Sequence, residues 1–294
     1  MPKDADYVLF ADVVSERRDL RRLIESDPGV VAAEGAVVDA IGLWWEEQEE
    51  RFDKLQSPGD LVDLRKDLIE TFRDALASTP LLDPFAIRGI VASWWGVRLP
   101  DLKALATHGY QGLIEAWVST VLDALAEEKA KVDPLDHKVA RAILPEYLDK
   151  LADLEAEVAE LDSTIKAATA SDDEEDGDGE PAEDALSPVE LKKLKSKLTA
   201  TKKRLKVEKA AFADRLAAAS TALKDTSARQ IVLDALEHDL LTEANDRVSR
   251  HRRAVIAAFE TWWDKYQTPL AALETERDAA ATTLAGMLKE LGYA

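Results

Sequence analysis

Apolar residues recur every three or four positions through long stretches of this chain, and that period predicts amphipathic helices. In "DLVDLRKDLIETFRDALAST" the apolar set Leu61, Leu64, Leu68, Phe72 and Leu76 falls on one helical face. Upstream, a first helix is expected over Asp12–Glu25 and a second from Val30 to Leu55, the latter carrying Val37, Ile41, Trp44, Trp45 and Phe52. Each is followed by turn chemistry, "SDPG" and "SPGD", in which Pro fixes φ and Gly permits positive φ. Next comes "LLDPFAIRGIVASWWGVRLPDLKALATHGY". Asp83-Pro84 reads as an N-cap with Pro at the first helical position, the helix is expected to end near Trp95-Gly96, and Pro100 to open another.

The most regular pattern lies in residues 143–168 and 189–224. Leu144, Leu148, Leu151, Leu154, Val158, Leu161 and Ile165 form one seam, and Leu191, Leu194, Leu198, Leu205, Phe212, Ala219 and Leu223 form another. Two such seams around a break predict an antiparallel coiled-coil hairpin. The break, "TASDDEEDGDGEPAEDALSP", holds nine Asp or Glu and no basic residue, too polar to bury anything, and is expected to be a disordered loop over 169–188. A long helix over 227–266 carries Ile231, Leu236, Leu240, Val248, Val255, Phe259, Trp262, Trp263 and Tyr266. Pro269 breaks it, and a last helix to Leu291 ends at Gly292, a candidate C-cap. The expected architecture is all-α: a helical domain over 1–142, the coiled-coil hairpin over 143–226, and a long helix with a C-terminal docking helix over 227–294 that form a helical hairpin.

Composition sharpens this picture. Only 12 Gly and 11 Pro interrupt a chain rich in Ala, Leu, Glu, Lys and Arg, the strongest helix formers. The net charge of −20 disfavours a general nucleic-acid surface, although it leaves room for a local basic stripe. Absence of cysteine removes disulfide, zinc–thiolate and thiol chemistry and fits a cytoplasmic protein. No apolar run approaches the length of a membrane span, and the start "MPKDADYVLF" does not read as a signal peptide.

Catalytic chemistry is hard to place. The two glycines of "DEEDGDGEPAED" lie in an acidic run whose carboxylates would repel a phosphate. Asp83-Pro84-Phe85 is one proline short of the tetrapeptide of amino-methylating enzymes, and it opens a helix. His108, His137, His238 and His251 share no metal spacing, and Asp234, Glu237, His238 and Asp239 read as a solvated helix face. No catalytic, cofactor-binding or metal-binding residue is expected in this chain. The stretch Lys192–Lys209 is strongly basic. Lys192, Lys193, Lys202, Lys203 and Arg204 are candidates for a nucleic-acid or acidic-partner contact, against a plainer reading as the solvated face of the coiled coil. The pairs Trp44-Trp45, Trp94-Trp95 and Trp262-Trp263 read either as core packing or as interface anchors.

Three stretches together resemble the carboxy-terminal part of the modification subunit, a DNA adenine-N6 methyltransferase, of type I restriction-modification systems. They are the Asp-aromatic turn and aromatic helix of "LLDPFAIRGIVASWWGVRLPDLKALATHGY", the charged coiled-coil region Tyr147–Lys224, and the ending "FETWWDKYQTPLAALETERDAAATTLAGMLKELGY". Trp263-Asp264-Lys265-Tyr266 and Leu291-Gly292-Tyr293 match the family's ending most specifically. The resemblance covers roughly 60–294, and the family's catalytic domain, where S-adenosylmethionine is expected, has no counterpart in these residues. It implies an assembly role: terminal helices that pack against a DNA-specificity subunit, with a catalytic modification fragment as second partner and DNA engaged through the complex. The implied partner-binding residues are Trp262, Trp263, Tyr266, Leu270, Leu273, Leu284, Leu288, Leu291 and Tyr293. The alternatives are a free-standing helical coiled-coil interaction protein and, further off, an acidic mimic of DNA.

Overall fold

The computed structural model describes residues 14–79, 81–126, 133–173, 187–266 and 270–293. They form an all-α fold, with no strand among them, built from α1 (Arg17–Ser26), α2 (Pro28–Asp53), α3 (Leu61–Ala75), α4 (Pro84–Ala126), α5 (Lys138–Ile143), α6 (Pro145–Asp173), α7 (Pro188–Thr221), α8 (Asp225–Tyr266) and α9 (Leu270–Glu290). Two compact units interleave along the chain: Met1–Asp53, Val62–Val97 and Glu237–Ala294 make the first, Lys54–Leu61 and Arg98–Leu236 the second.

The first unit is organised around aromatic rings. Trp44 meets Phe72 edge-on with centroids 4.9 Å apart, Trp45 lies 5.2 Å from Phe52 and 6.1 Å from Trp94, and Trp94 lies 6.3 Å from Trp95. All four of these tryptophans are buried, so both members of the first two pairs fill the core. Trp44 Nε1 donates to Thr71 Oγ1 at 3.0 Å, giving the buried indole N–H its partner. The α3 stripe behaves as its spacing predicts, with Leu64, Leu68, Phe72 and Leu76 all buried. From α8 the same unit takes Leu240, Ala244, Val248 and Ile256, whereas Val255 is only half-buried. Arg252 donates to Glu34 across α8 and α2 at 2.7 Å.

Helix boundaries follow local chemistry. α1 starts at Arg17, later than the Asp12 start expected, because the Asp19 carboxylate accepts from the backbone N–H of Ser15 and Glu16 at 3.1 and 2.9 Å and fixes the turn there. Asp12 itself lies outside the described residues. Asp83 caps α4 as expected, accepting from the N–H of Phe85 and Ala86 at 2.8 Å each.

α4 corrects the reading of Gly96 and Pro100. The helix passes through both, and the break falls at Gly109, with φ 70° and ψ −174°. Proline's φ is itself helical, and the turn it sits in is anchored within the second unit. Asp101 accepts from Trp117 Nε1 at 2.8 Å and from Lys138 Nζ at 3.1 Å, while Leu102 and Leu105 are buried. Tertiary contacts outweigh the proline's local preference. At Gly109 the positive φ excludes most side chains, and a Cβ at Gly112 would collide with the His108 side chain. "HGYQG" is therefore the real punctuation of this segment.

Candidate interaction sites

The second unit contains the predicted hairpin. Tyr147 and Lys150, early in α6, meet Glu208 of α7, whereas Glu157 and Asp162, further along, meet Lys197 and Lys202 at 2.8 and 3.4 Å. The start of α6 thus meets the later part of α7 and the later part of α6 meets the earlier part of α7, so the two helices run antiparallel. Leu151, Leu154, Leu161 and Ile165 are buried along α6, with Val158 half-buried between them. α7 contributes buried Phe212 and Leu216, with Leu191, Leu194, Leu198 and Leu205 half-buried.

Three seam positions were missed by counting leucines. Tyr147 and Thr201 are buried, and Glu208 is half-buried in heptad register with Leu194 and Thr201. The Tyr147 ring stacks on Phe212 at 6.3 Å, its hydroxyl donates to the Glu208 carbonyl, and the Arg215 guanidinium sits 4.7 Å from the ring centroid. Burial pushes the Tyr147 phenol above its usual value. The Glu208 carboxylate takes Lys150 and Arg215, and the Lys150 hydrogen bond holds it below the ordinary carboxylate range. The hydrogen bond from Lys197 lowers Glu157, and that from Lys166 lowers Asp162.

Ser187 and Glu190 close a capping box at the start of α7: Ser187 N–H donates to Glu190 Oε2 at 2.9 Å and Glu190 N–H to Ser187 Oγ at 3.3 Å. The expected acidic loop is shorter than 169–188, since α6 continues through Asp173; residues 174–186 lie outside the described residues.

These pairings split the basic stretch. Lys197, Lys202 and Lys209 are ion-paired with Glu157, Asp162 and Glu155 of α6. Lys202, one of the candidate contact residues, is thus ion-paired across the hairpin. Arg204 lies in the fields of Glu157 and Glu208, and Lys193 in that of Glu190. Lys192 and Lys203 are exposed.

The residues implied for partner binding sit at the end of α8 and along α9. Trp262 is 50% exposed, with Phe259 packed against it at 5.0 Å, and Trp263 is half-buried, so this pair differs from the other two. Tyr266 is exposed beneath the Lys265 ammonium, 4.9 Å from the ring centroid. Arg17 of α1 reaches Glu260 at 2.9 Å and Asp264 at 3.7 Å, fixing this end of α8 within the first unit. Every described side chain from 272 to 293 is exposed. Leu273, Leu284, Met287, Leu288 and Leu291 share one helical face, and Leu284 and Leu291 are 57% and 70% exposed. Tyr293 is exposed; the side chain of Leu270 lies outside the described residues. α9 ends in a Schellman turn: Gly292, at φ 75°, donates to the Lys289 carbonyl at 3.1 Å and Tyr293 to that of Leu288 at 2.9 Å.

Among the described residues no group of three or more His, Asp or Glu is placed to hold a metal ion, and no helix is long and apolar enough to cross a membrane. His137 serves structure: its Nδ1 accepts from the Val139 N–H at 3.2 Å, capping α5, and burial lowers its pKa. An open cleft of about 500 Å³ beside α5 and α6 is lined by Leu135, Leu148, Asp133, Asp149, Glu155 and the Arg141–Asp136 ion pair. No protein family, curated protein or solved structure matches this chain.

Proposed function

We propose that this chain is an assembly module of a type I DNA adenine methyltransferase, corresponding to the carboxy-terminal part of the modification subunit. It docks on the DNA-specificity subunit and holds no active site of its own. The observation that carries this reading is α9: a capped helix whose Leu and Met face is left in water. Burying one such side chain is worth about 1.5–3 kcal/mol, so a row of them favours a partner helix laid along the stripe. The motif resemblance at Trp263–Tyr266 and Leu291–Tyr293 names that partner as a long helix of the specificity subunit.

The test is co-purification of the full chain with a type I specificity subunit and a catalytic modification fragment, followed by an adenine-methylation assay. A stable, methylating complex is expected, lost on truncation after Tyr266 or on combining Leu284→Asp with Leu288→Asp. Because the described α9 side chains are exposed in the isolated chain, the same changes are expected to leave its melting temperature within a few degrees of the parent. A complex that survives both changes would overturn the assignment of α9. A well-folded chain that joins no such complex would leave a free-standing helical interaction protein.

A further inference from the structure

The pairing of α6 with α7 leaves one face of α7 unused. Lys192, Lys195, Ser196, Thr199, Lys203 and Lys206 lie within one arc of the helix, turned away from the Leu194–Leu205 seam, and all are exposed. Between Lys192 and Lys206 the arc contains no carboxylate and no apolar side chain, and exposed Val189 and Val207 flank its two ends. Its cations differ from those nearer α6, where Lys197, Lys202 and Lys209 are neutralised by Glu157, Asp162 and Glu155. Four lysines thus stand in a row along a capped helix, over about 21 Å at 1.5 Å per residue.

We infer that this face of α7 binds the phosphate backbone of duplex nucleic acid. A rigid row of cations without apolar anchors suits a rigid row of anions. Protein interfaces of useful affinity are centred on buried aromatic or aliphatic side chains, which this arc lacks. An acidic peptide would also have to be ordered along the row at a cost in conformational entropy, whereas a duplex presents its charges already fixed. The net charge of −20 repels phosphate elsewhere on the molecule, so contact through this face is weak, orientation-specific and strongly salt-dependent. It contacts phosphate and sugar, not base edges, and so carries no sequence preference. The inference is independent of α9 and of any docking partner.

The test is fluorescence anisotropy of labelled DNA and RNA duplexes of about 20 base pairs titrated with the full chain from about 50 mM salt upward. Four phosphate contacts predict that log K falls against log salt with a slope of about −3 to −4, since each contributes about 0.9. Changing Lys192, Lys195, Lys203 and Lys206 to Gln is expected to weaken binding at least about tenfold at the lowest salt and flatten the slope. A control with Lys66, Lys103, Lys224 and Lys289 changed to Gln alters the net charge equally and is expected to keep the slope; circular dichroism confirms that both variants stay helical. The duplex bound more tightly, DNA or RNA, names the source of the phosphate. No salt-dependent binding by the parent chain, or equal loss in the two variants, would overturn the inference. So would polyglutamate competing as well as duplex at equal charge, which would assign the face to an acidic polypeptide.

Discussion

His137 shows how much one side chain can do without catalysis. Its Nδ1 must be unprotonated to accept from Val139, and burial already disfavours the imidazolium, with Lys138 adding to the effect. The folded pKa therefore lies below the usual imidazole value of about 6.5. Stability from this group is present above that value and lost as pH falls through the lowered folded value. Between pH 8 and pH 5 the parent chain is expected to lose more melting temperature than His137→Asn, a substitution that keeps a capping side chain and does not titrate. Equal losses in differential scanning calorimetry would remove His137 from the account. The sequence offered His137 as a stray histidine outside any metal spacing; its capping role depends on the α5 turn that follows. Tyr147 is a similar case. Counting leucines chose Leu144 and Leu148 for the seam, while the ring that stacks on Phe212 is one position from Leu148.

At the scale of elements, glycine separates local from tertiary control. Gly42 lies inside α2 and Gly109 at the break of α4; a Cβ at either meets open space, yet only Gly109 has positive φ. Gly42→Ala is expected to stabilise the protein by about 0.5–1 kcal/mol through helix propensity. Gly109→Ala is expected to destabilise it by about 1–2 kcal/mol, because the left-handed region costs an L-residue about that much. Urea denaturation of the two variants reads both signs directly. The caps of α4 and α9 were legible because a cap is a local arrangement of a few residues: Asp83 with Pro84, and Gly292; the Ser187–Glu190 box of α7, equally local, was hidden inside the stretch read as acidic loop. The course of α4 through Pro100 was not, because what holds that turn is Trp117 and Lys138, distant in sequence.

For the whole molecule, the acidic charge is partly organised rather than merely solubilising. Glu157, Asp162 and Glu208 are all held below the ordinary carboxylate range by hydrogen bonds from lysines across or along the hairpin. Groups lowered in the folded state contribute stability that is present above the unfolded carboxylate value of about 4 and lost as pH falls through the folded values. The second unit is accordingly expected to melt at lower temperature at pH 3 than at pH 5. Changing Glu157 and Asp162 to Gln should shrink that difference, and raising salt should weaken the same pairs at neutral pH. A pH response unchanged in the variant would place the acid sensitivity elsewhere.

By itself the sequence determined the helical class, most helix spans, the antiparallel seams of α6 and α7 and the amphipathic stripe of α9, because each is written in a short period or a cap of adjacent residues. Only the tertiary structure decided which apolar faces found a partner. Trp44-Trp45 and Trp94-Trp95 lie in one aromatic core, and Trp262 with the α9 stripe remains in water, although all carry the same kind of apolar signal. It also decided which lysines of α7 are neutralised and which face outward, because an ion pair joins residues tens of positions apart and their meeting is fixed by packing, not by spacing.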